Sequence, residues 1–338
     1  MQSVVLKDGF GIDQIQTIST PMPKVGPQDI LVKMQAVALN YLDLLIIQGD
    51  LNPDLTFPFI PVADGAGIVE AVGRDVTEFQ PGDRVVTPYL PNWHDGRFTP
   101  QKSTFESRPG SGLKPGQLTE YQSFRAYELM RSPALLTAAE AATLPIAALT
   151  AWNALAYSQA KPGDVVLLHG TGGVSIFALQ FAKAAGLSVI ITSSSDEKLA
   201  KAQALGADHL INYRQQPEWV GEVLAATAGE GADLVVETVG GDNLNQSLEA
   251  LRFDGHISIV GFLEGMQSPL NLVSLNLKRA KIHGLSVGSR QDFANMNQAI
   301  SVNAIRPVID RAFPFTAAQD AFRYLASGQH FGKVVIEF

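Results

Sequence analysis

The sequence predicts an α/β protein of two domains, one a doubly wound parallel sheet and the other a mixed, largely antiparallel, barrel-like domain. Three observations carry this expectation. A chain of 338 residues, 46% of them hydrophobic, has material for two cores of ordinary size. From about Val165 onward, short β-branched runs alternate with segments of helical period, the signature of βαβ units. The first 125 residues instead carry short strands, many prolines and turn stretches such as Pro81-Gly82-Asp83.

In the second half, strands are expected at 165–169, 187–192, 210–212, 233–237, 256–260 and 281–287, enough for a complete doubly wound sheet. A helix over 173–185 places Val174, Phe177, Ala178, Phe181 and Ala182 on one stripe. A second, over 196–205, has Ser195 or Asp196 as its N-cap and Gly206 as its stop. Helices around 291–303 and 316–326 and a strand at 333–337 return the chain to the first domain, which makes that domain discontinuous: 1–125 with 287–338, against 126–286 for the sheet. Residues 91–117 form a long Pro/Gly-rich polar stretch without periodicity, either functional or a packed Ω-loop.

Composition narrows the function. A formal charge of −8 works against nucleic-acid partners, whose phosphates are met with Lys and Arg. The apolar runs are strand-length, short of the roughly 20 residues of a membrane span, and Lys7 and Asp8 stand where a signal peptide would be apolar, so no membrane and a cytoplasmic location are expected. With no cysteine, disulfides, thiolate nucleophiles and Cys-containing zinc sites are excluded. The six histidines show no metal-ligand spacing, and no metal residue is assigned.

The stretch VVLLHGTGGVS reads as a strand entering a glycine-rich phosphate loop. In a dinucleotide site the first Gly makes the tight turn, the second lets the backbone approach the pyrophosphate, and the following helix supplies free N–H groups. Gly170, Gly172 and Gly173, with Val174 opening the helix, meet those demands, and Ser175 takes the place of the third Gly as a small packing residue. The end of the second strand selects the cofactor: a carboxylate there favours NADH, whereas hydroxyls and a cation suit the 2′-phosphate of NADPH. Ser193, Ser194 and Lys198 therefore point to NADPH over NADH, the alternative being that the serines only cap a helix and Lys198 is a surface charge.

With PQDILVKMQAVALNYLD, PVADGAGIVEAVG, PGDRV, LTAWNAL, VLLHGTGGVS, KLAKAQALGAD, VVETVGG and HFGKVVI in view, the chain resembles the medium-chain dehydrogenase/reductase superfamily over essentially its whole length. The resemblance implies a GroES-like, partly open β-barrel catalytic domain and a Rossmann cofactor domain. The positions that look like the three catalytic-zinc ligands of the alcohol dehydrogenase branch are Asn40, Ala63 and about Ile146, none a zinc ligand, and the structural zinc lobe has no counterpart. The chain thus resembles the zinc-free branch of NADPH quinone oxidoreductases and zeta-crystallin-like proteins, members of which often carry a zinc-type alcohol dehydrogenase label.

Without a Lewis acid, conjugated acceptors are the easier substrates, because hydride addition yields a delocalised phenolate or enolate that a few donors can stabilise. The resemblance puts Asn40 and Tyr41 beside the nicotinamide, where the Asn40 amide or the Tyr41 hydroxyl would donate to the substrate oxygen or orient the ring; Asp43 reads as a structural anchor. Motif matching adds cofactor contacts at Thr150, Tyr213, Thr238, Val239, Gly240, Val260, Gly261, Phe262, Leu285 and Val287, and at Lys333, which would reach the phosphates or stand as an exposed edge-strand charge. Trp93 and His94 in the long loop are candidates for a substrate lid. The expected function is NADPH-dependent, metal-independent reduction of a small-molecule quinone or enone. Alternatives are a dehydrogenase of alcohols or aldehydes with a non-metal acid or base, and a non-catalytic NADPH-binding protein. A homodimer through the 281–287 edge strand is implied by the family.

Overall fold

The run DILVKMQAVAL, apolar at most positions, is the spine of the first unit in the computed structural model, which describes residues 1–104 and 107–338. It forms β3 (Asp29–Leu39), paired antiparallel along one edge with β4 (Asp64–Val72) and along the other with β6 (Tyr121–Arg125) at its start and β15 (Lys333–Glu337) at its end. The sheet continues from β4 to β5 (Arg84–Val86) and β7 (Met130–Arg131), and from β15 to β14 (Ile309–Pro314), which runs parallel to it. A two-stranded ribbon of β1 (Gln2–Leu6) and β2 (Ile15–Ser19) stands beside this sheet. One apolar cluster joins Ile30, Val32, Met34, Val69, Val85, Phe124 and Leu129; a larger one joins β3 and β15 to the helices Tyr41–Gln48 and Ala318–Ala326 through Leu39, Ile47, Phe322 and Val334.

This unit comprises Met1–Leu149 and Val287–Phe338. Residues 126–149, expected in the cofactor domain, belong to it instead, because Met130 and Arg131 complete its sheet against Val86 and Val85. Gly65 and Gly67 mark close approaches within it. A Cβ on Gly67 would lie 2.4 Å from Lys33 O, and one on Gly65 would lie 2.6 Å from Met34 Cε.

The second unit, Thr150–Ser286, holds among the described residues a six-stranded parallel sheet: β8 (Val165–Leu168), β9 (Ser188–Ser193), β10 (His209–Asn212), β11 (Ala232–Glu237), β12 (Leu251–Ile259) and β13 (Lys281–Gly284), in the order β10-β9-β8-β11-β12-β13. The central strands are buried on both faces and so read as unbroken apolar runs. The order of strand addition reverses between β8 and β11, which run parallel, and this is the switch point at which ligands of such sheets bind. The helix Gly173–Ala184 packs Ile176, Phe177, Leu179 and Phe181 inward. β13 stops at Gly284, short of 287, where its partner β12 ends at Ile259, and Val287 takes φ +54°, outside the extended region. No helix among the described residues is long and apolar enough to cross a membrane.

Replacing Gly67 with Ala would force a methyl onto the Lys33 carbonyl and the Val32 side chain. The Gly67→Ala variant is expected to lose about 1–3 kcal/mol, read as a lowered denaturant midpoint. Gly82→Ala, with nothing within 4 Å of the added Cβ but φ +93°, should lose less, through backbone strain alone.

Candidate active site

At the carboxyl end of β8, Gly170 turns the chain with φ +70°, and Gly172 sits at the N-cap of the helix Gly173–Ala184. A Cβ on Gly170 or Gly172 would meet nothing within 4 Å among the described residues, and no side chain caps this helix. Its first N–H groups are therefore presented to an anion, and the loop fits a dinucleotide pyrophosphate. Ser175, in the third-glycine position, is 2% exposed and turns its hydroxyl back to donate to His169 O at 2.7 Å. The hydroxyl is satisfied within the loop, and the small side chain keeps helix and strand close.

Ser193, Ser194, Lys198 and Tyr213 come together at the end of β9. Ser193 Oγ accepts from Ser195 N at 3.3 Å, Ser195 Oγ caps the next helix by accepting from Lys198 N at 3.4 Å, and Tyr213 N donates to Ser193 O at 3.1 Å with its ring exposed. The nearby Asp196 carboxylate is tied to Asn212 Nδ2 and Gln215 Nε2, whose hydrogen bonds hold it below the usual carboxylate range. Thr238, Val239 and Gly240 follow β11, while Val260, Gly261 and Phe262 follow β12. Thr238 Oγ1 donates to His169 O at 3.1 Å, so these turns and the phosphate loop form one rim along adjacent strands. Leu285 joins the rim through its N–H on Ile259 O at 2.9 Å, and Thr150 is buried in the helix Leu149–Ser158.

In the first unit, Asn40 follows β3 and caps the helix Tyr41–Gln48. Asp43 reaches back to accept from Asn40 N at 2.8 Å and from Ala63 N at 3.0 Å, anchoring the helix start to the segment before β4. Two expectations are corrected here. Lys333 is not an exposed edge charge, and its ammonium is taken up inside the unit: it is 3% exposed and donates to Leu39 O at 2.6 Å and Asn40 Oδ1 at 2.7 Å. The Asn40 amide is not free to donate to a substrate, since Nδ2 donates to Asp64 Oδ2 at 2.9 Å and to Ala38 O at 3.4 Å. Asn40 is a bridge between a buried cation and a buried carboxylate.

Asp64 also accepts from Ile146 N at 3.3 Å, and its Oδ1 is buried with no hydrogen-bond partner among the described residues. Burial pushes Asp64 up to about 7 and Asp43 up to about 6, the Lys333 charge opposing both shifts; burial likewise lowers Lys333. Asn40, Ala63 and Ile146, the positions likened to zinc ligands, converge on these two aspartates but offer an amide, a methyl and an alkyl chain. That donor set does not fit a catalytic zinc, and among the described residues no group of three or more His, Asp or Glu is placed to hold a metal. The segment is strained as well: Val62 adopts φ +77°, rare for a β-branched residue.

Tyr41 is 44% exposed at the first turn of its helix. Trp93, expected in a lid, packs its own loop instead: it is buried, its Nε1 donates to Gly96 O at 2.9 Å, and its ring meets Phe98 at 4.6 Å. The backbone carbonyls of Trp93 and His94 accept from Arg290 N and Gln291 N, supplying partners to the otherwise orphan first turn of the helix Arg290–Val302. His94 is exposed beside a depression formed with Glu78, Tyr127 and Arg290. Phe105 and Glu106 of the 91–117 loop lie outside the described residues. Sequence reasoning missed Asp64, Glu237 and Tyr89, a buried phenol raised by burial and held by Arg108. Only the pairing of Asp64 with a distant Lys would have flagged the first.

Residues 26–134 match a family model described as the alcohol dehydrogenase GroES-like domain, and residues 173–301 match one described as zinc-binding dehydrogenase. A zinc-type alcohol dehydrogenase-like protein of Schizosaccharomyces pombe is 43% identical over 346 residues, covering 100% of this chain and 99% of its own. The crystal structure of a candidate alcohol dehydrogenase from Sinorhizobium meliloti 1021 superposes with a TM-score of 0.93 at 43% identity, covering 100% of this chain and 98% of that one. A chloroplastic quinone oxidoreductase of Triphysaria versicolor is 28% identical over 100% of this chain and 98% of its own. The chain belongs to the medium-chain dehydrogenase/reductase superfamily. Its two units are that superfamily's GroES-like and Rossmann-type domains, and its activity class is oxidoreductase.

The buried cluster makes stability pH-dependent. Asp64 and Asp43, with folded pKa values above the unfolded one, bind protons on folding, so their contribution is fully present below about pH 4 and is lost as pH rises through about 6 to 7. The wild-type unfolding free energy from denaturant titration is expected to fall across that window by on the order of 1 kcal/mol per pH unit, with a visibly shallower slope in Asp64→Asn. Lys333→Met, which leaves Leu39 O, Asn40 Oδ1 and two carboxylates without their cation, is expected to cost about 3–5 kcal/mol by denaturant titration at pH 7.

Proposed function

We propose that the protein is an NADPH-dependent, metal-independent reductase that delivers hydride to the conjugated carbon of a quinone or α,β-unsaturated carbonyl. The observation that carries this reading is the convergence of Asn40, Ala63 and Ile146, none with a zinc-ligating side chain, on Asp43 and Asp64, whose carboxylates are taken up by the Asn40 amide and backbone N–H groups. A metal-free site has no Lewis acid to draw a proton from a simple alcohol, whereas a conjugated acceptor spreads the incoming charge and asks only for hydrogen-bond donors. Bound NADPH supplies the hydride. Gly170, Gly172 and the first turn of the helix Gly173–Ala184 bind its pyrophosphate; Ser193, Ser194 and Lys198 take the 2′-phosphate, with Tyr213 beside them. With the Asn40 amide engaged, the exposed Tyr41 hydroxyl donates to the substrate oxygen. The quinone oxidoreductase name of the Triphysaria relative supports the acceptor class.

The alcohol dehydrogenase names of the more similar relatives favour a second reading, oxidation of an alcohol with a side-chain base. A homodimer through the free edge of β13 is part of the proposal, supported by the neighbouring helix Leu272–Lys278, on which Leu272, Val273 and Leu277 are each about two-thirds exposed.

Chelator-treated protein is tested for NADPH and NADH oxidation against quinones, enones and simple aldehydes. Turnover of conjugated acceptors with NADPH and inert aldehydes is the expected result. Aldehyde activity that vanishes on chelation sinks the metal-free reading, and NADPH binding without turnover on any acceptor leaves binding as the function. Tyr41→Phe should lower kcat about ten- to a hundredfold, as for a lost hydrogen bond to a developing anion. Lys198→Ala should raise KM for NADPH about tenfold and leave KM for NADH unchanged.

A further inference from the structure

Behind the rim of the second unit lies a buried chain of hydrogen bonds that no site residue named so far explains. Glu237 closes β11 with its side chain 0% exposed. Its Oε1 accepts from Val239 N at 2.7 Å and Gly240 N at 3.1 Å, Asn243 Nδ2 reaches both oxygens at 3.1 and 2.9 Å, and Ser247 Oγ donates to Oε2 at 2.5 Å. His169 Nε2 lies 2.9 Å from Ser247 Oγ. Because the one Ser247 proton goes to the carboxylate, the Ser247 oxygen must receive from the ring, which makes His169 the Nε2–H tautomer. Burial holds the imidazole below its ordinary pKa, so the carboxylate is met by dipoles and not by a cation.

A buried carboxylate is a costly way to fill a core position that Leu or Val fills elsewhere in the sheet. What it supplies is acceptor capacity where the backbone needs it. Gly240 has φ +73°, and it and Val239 turn out of the strand with N–H groups directed at the side chain of the residue that precedes the turn. Two loops meet at the same residues. His169 O accepts from Ser175 Oγ and Thr238 Oγ1, and Glu237 O accepts from Val260 N at 2.9 Å and Gly261 N at 3.2 Å. The phosphate loop, the 238–240 turn and the 260–262 turn are thus joined through His169 and Glu237.

We propose that Glu237, through Ser247 and His169, is a positioning residue that locks the 238–240 turn to the phosphate loop, so that nucleotide affinity depends on a hydrogen-bond chain none of whose side chains reaches the nucleotide. The proposal rests on the reading of this unit as an NADPH site. Glu237→Gln keeps the shape but replaces one acceptor with an NH2 group, which must then face either the Val239 and Gly240 amides or the Asn243 and Ser247 donors. Ser247→Ala keeps the carboxylate and cuts the chain to His169.

Three measurements on the full-length protein test it: NADPH affinity by nucleotide fluorescence, steady-state kinetics with a quinone, and amide deuterium exchange. For Glu237→Gln, the dissociation constant and KM for NADPH should rise about tenfold or more, as for a buried donor left unpaired, with kcat at saturating NADPH within about twofold of wild type. Exchange at Val239 and Gly240 should speed up selectively, and Ser247→Ala should show the same pattern more weakly. Unchanged affinity in both variants, or a loss of kcat at unchanged affinity, overturns the proposal. Should Glu237→Gln fail to fold, Ser247→Ala decides: wild-type affinity and wild-type exchange at Val239 and Gly240 overturn it. Wild-type protein that binds neither NADPH nor NADH instead removes the nucleotide reading beneath it, and the two failures are told apart by that control.

Discussion

The buried ammonium of Lys333 is the tie on which the first unit's candidate site depends. It joins the last strand of that sheet to the corner where β3 gives way to the helix Tyr41–Gln48, donating to Leu39 O and to the Asn40 amide, which donates on to Asp64. Asn40 takes the cation on one end of its amide and hands hydrogen bonds to Asp64 with the other. Remove the cation and the corner holds two carboxylates in a medium that tolerates them poorly. Asp43 then serves two segments of this unit, fixing the helix start and the segment ahead of β4. The strained backbone at Val62 persists because these bonds over-determine the segment around it.

The second unit solves a similar problem by other means. Its buried carboxylate, Glu237, is matched by backbone and side-chain dipoles instead of an ammonium, and the result is order in a turn in place of a bond between distant strands. One site is built to hold charge in place and the other to leave N–H groups presented to an anion.

Much of the fold was legible because it rests on local patterns. The alternation of β-branched runs with helical stripes after Val165 is visible without tertiary information, as are Gly170, Gly172 and the Ser195 cap. What could not be read was decided by partners far away in sequence. Lys333 in FGKVV looks like an edge-strand charge until β14 is seen covering the outer side of β15, which turns an edge into an interior position. Asn40 reads as a free donor until its partners, 24 and 293 residues away, are in place. Trp93 resembles a pocket-lining aromatic, but its loop is packed and its carbonyls are spent on a helix terminus, a use that no spacing in the 91–117 stretch signals. Residues 126–149 went to the wrong unit because a two-residue strand carries too little pattern to be seen.

The separation of Asn40 from Lys333 has a consequence for the order in which the molecule is made. A chain emerging from the ribosome presents residues 1–149 first, with Asp43 and Asp64 synthesised but their cation still unmade. The second unit, contiguous from Thr150 to Ser286, can close its core at that stage. The first must stay open, its β3 edge unfilled and its acids in water, until β15 arrives. The domain whose residues come first in the sequence is therefore the last to be finished, and until then the 36–39 end of β3 lacks its β15 neighbour.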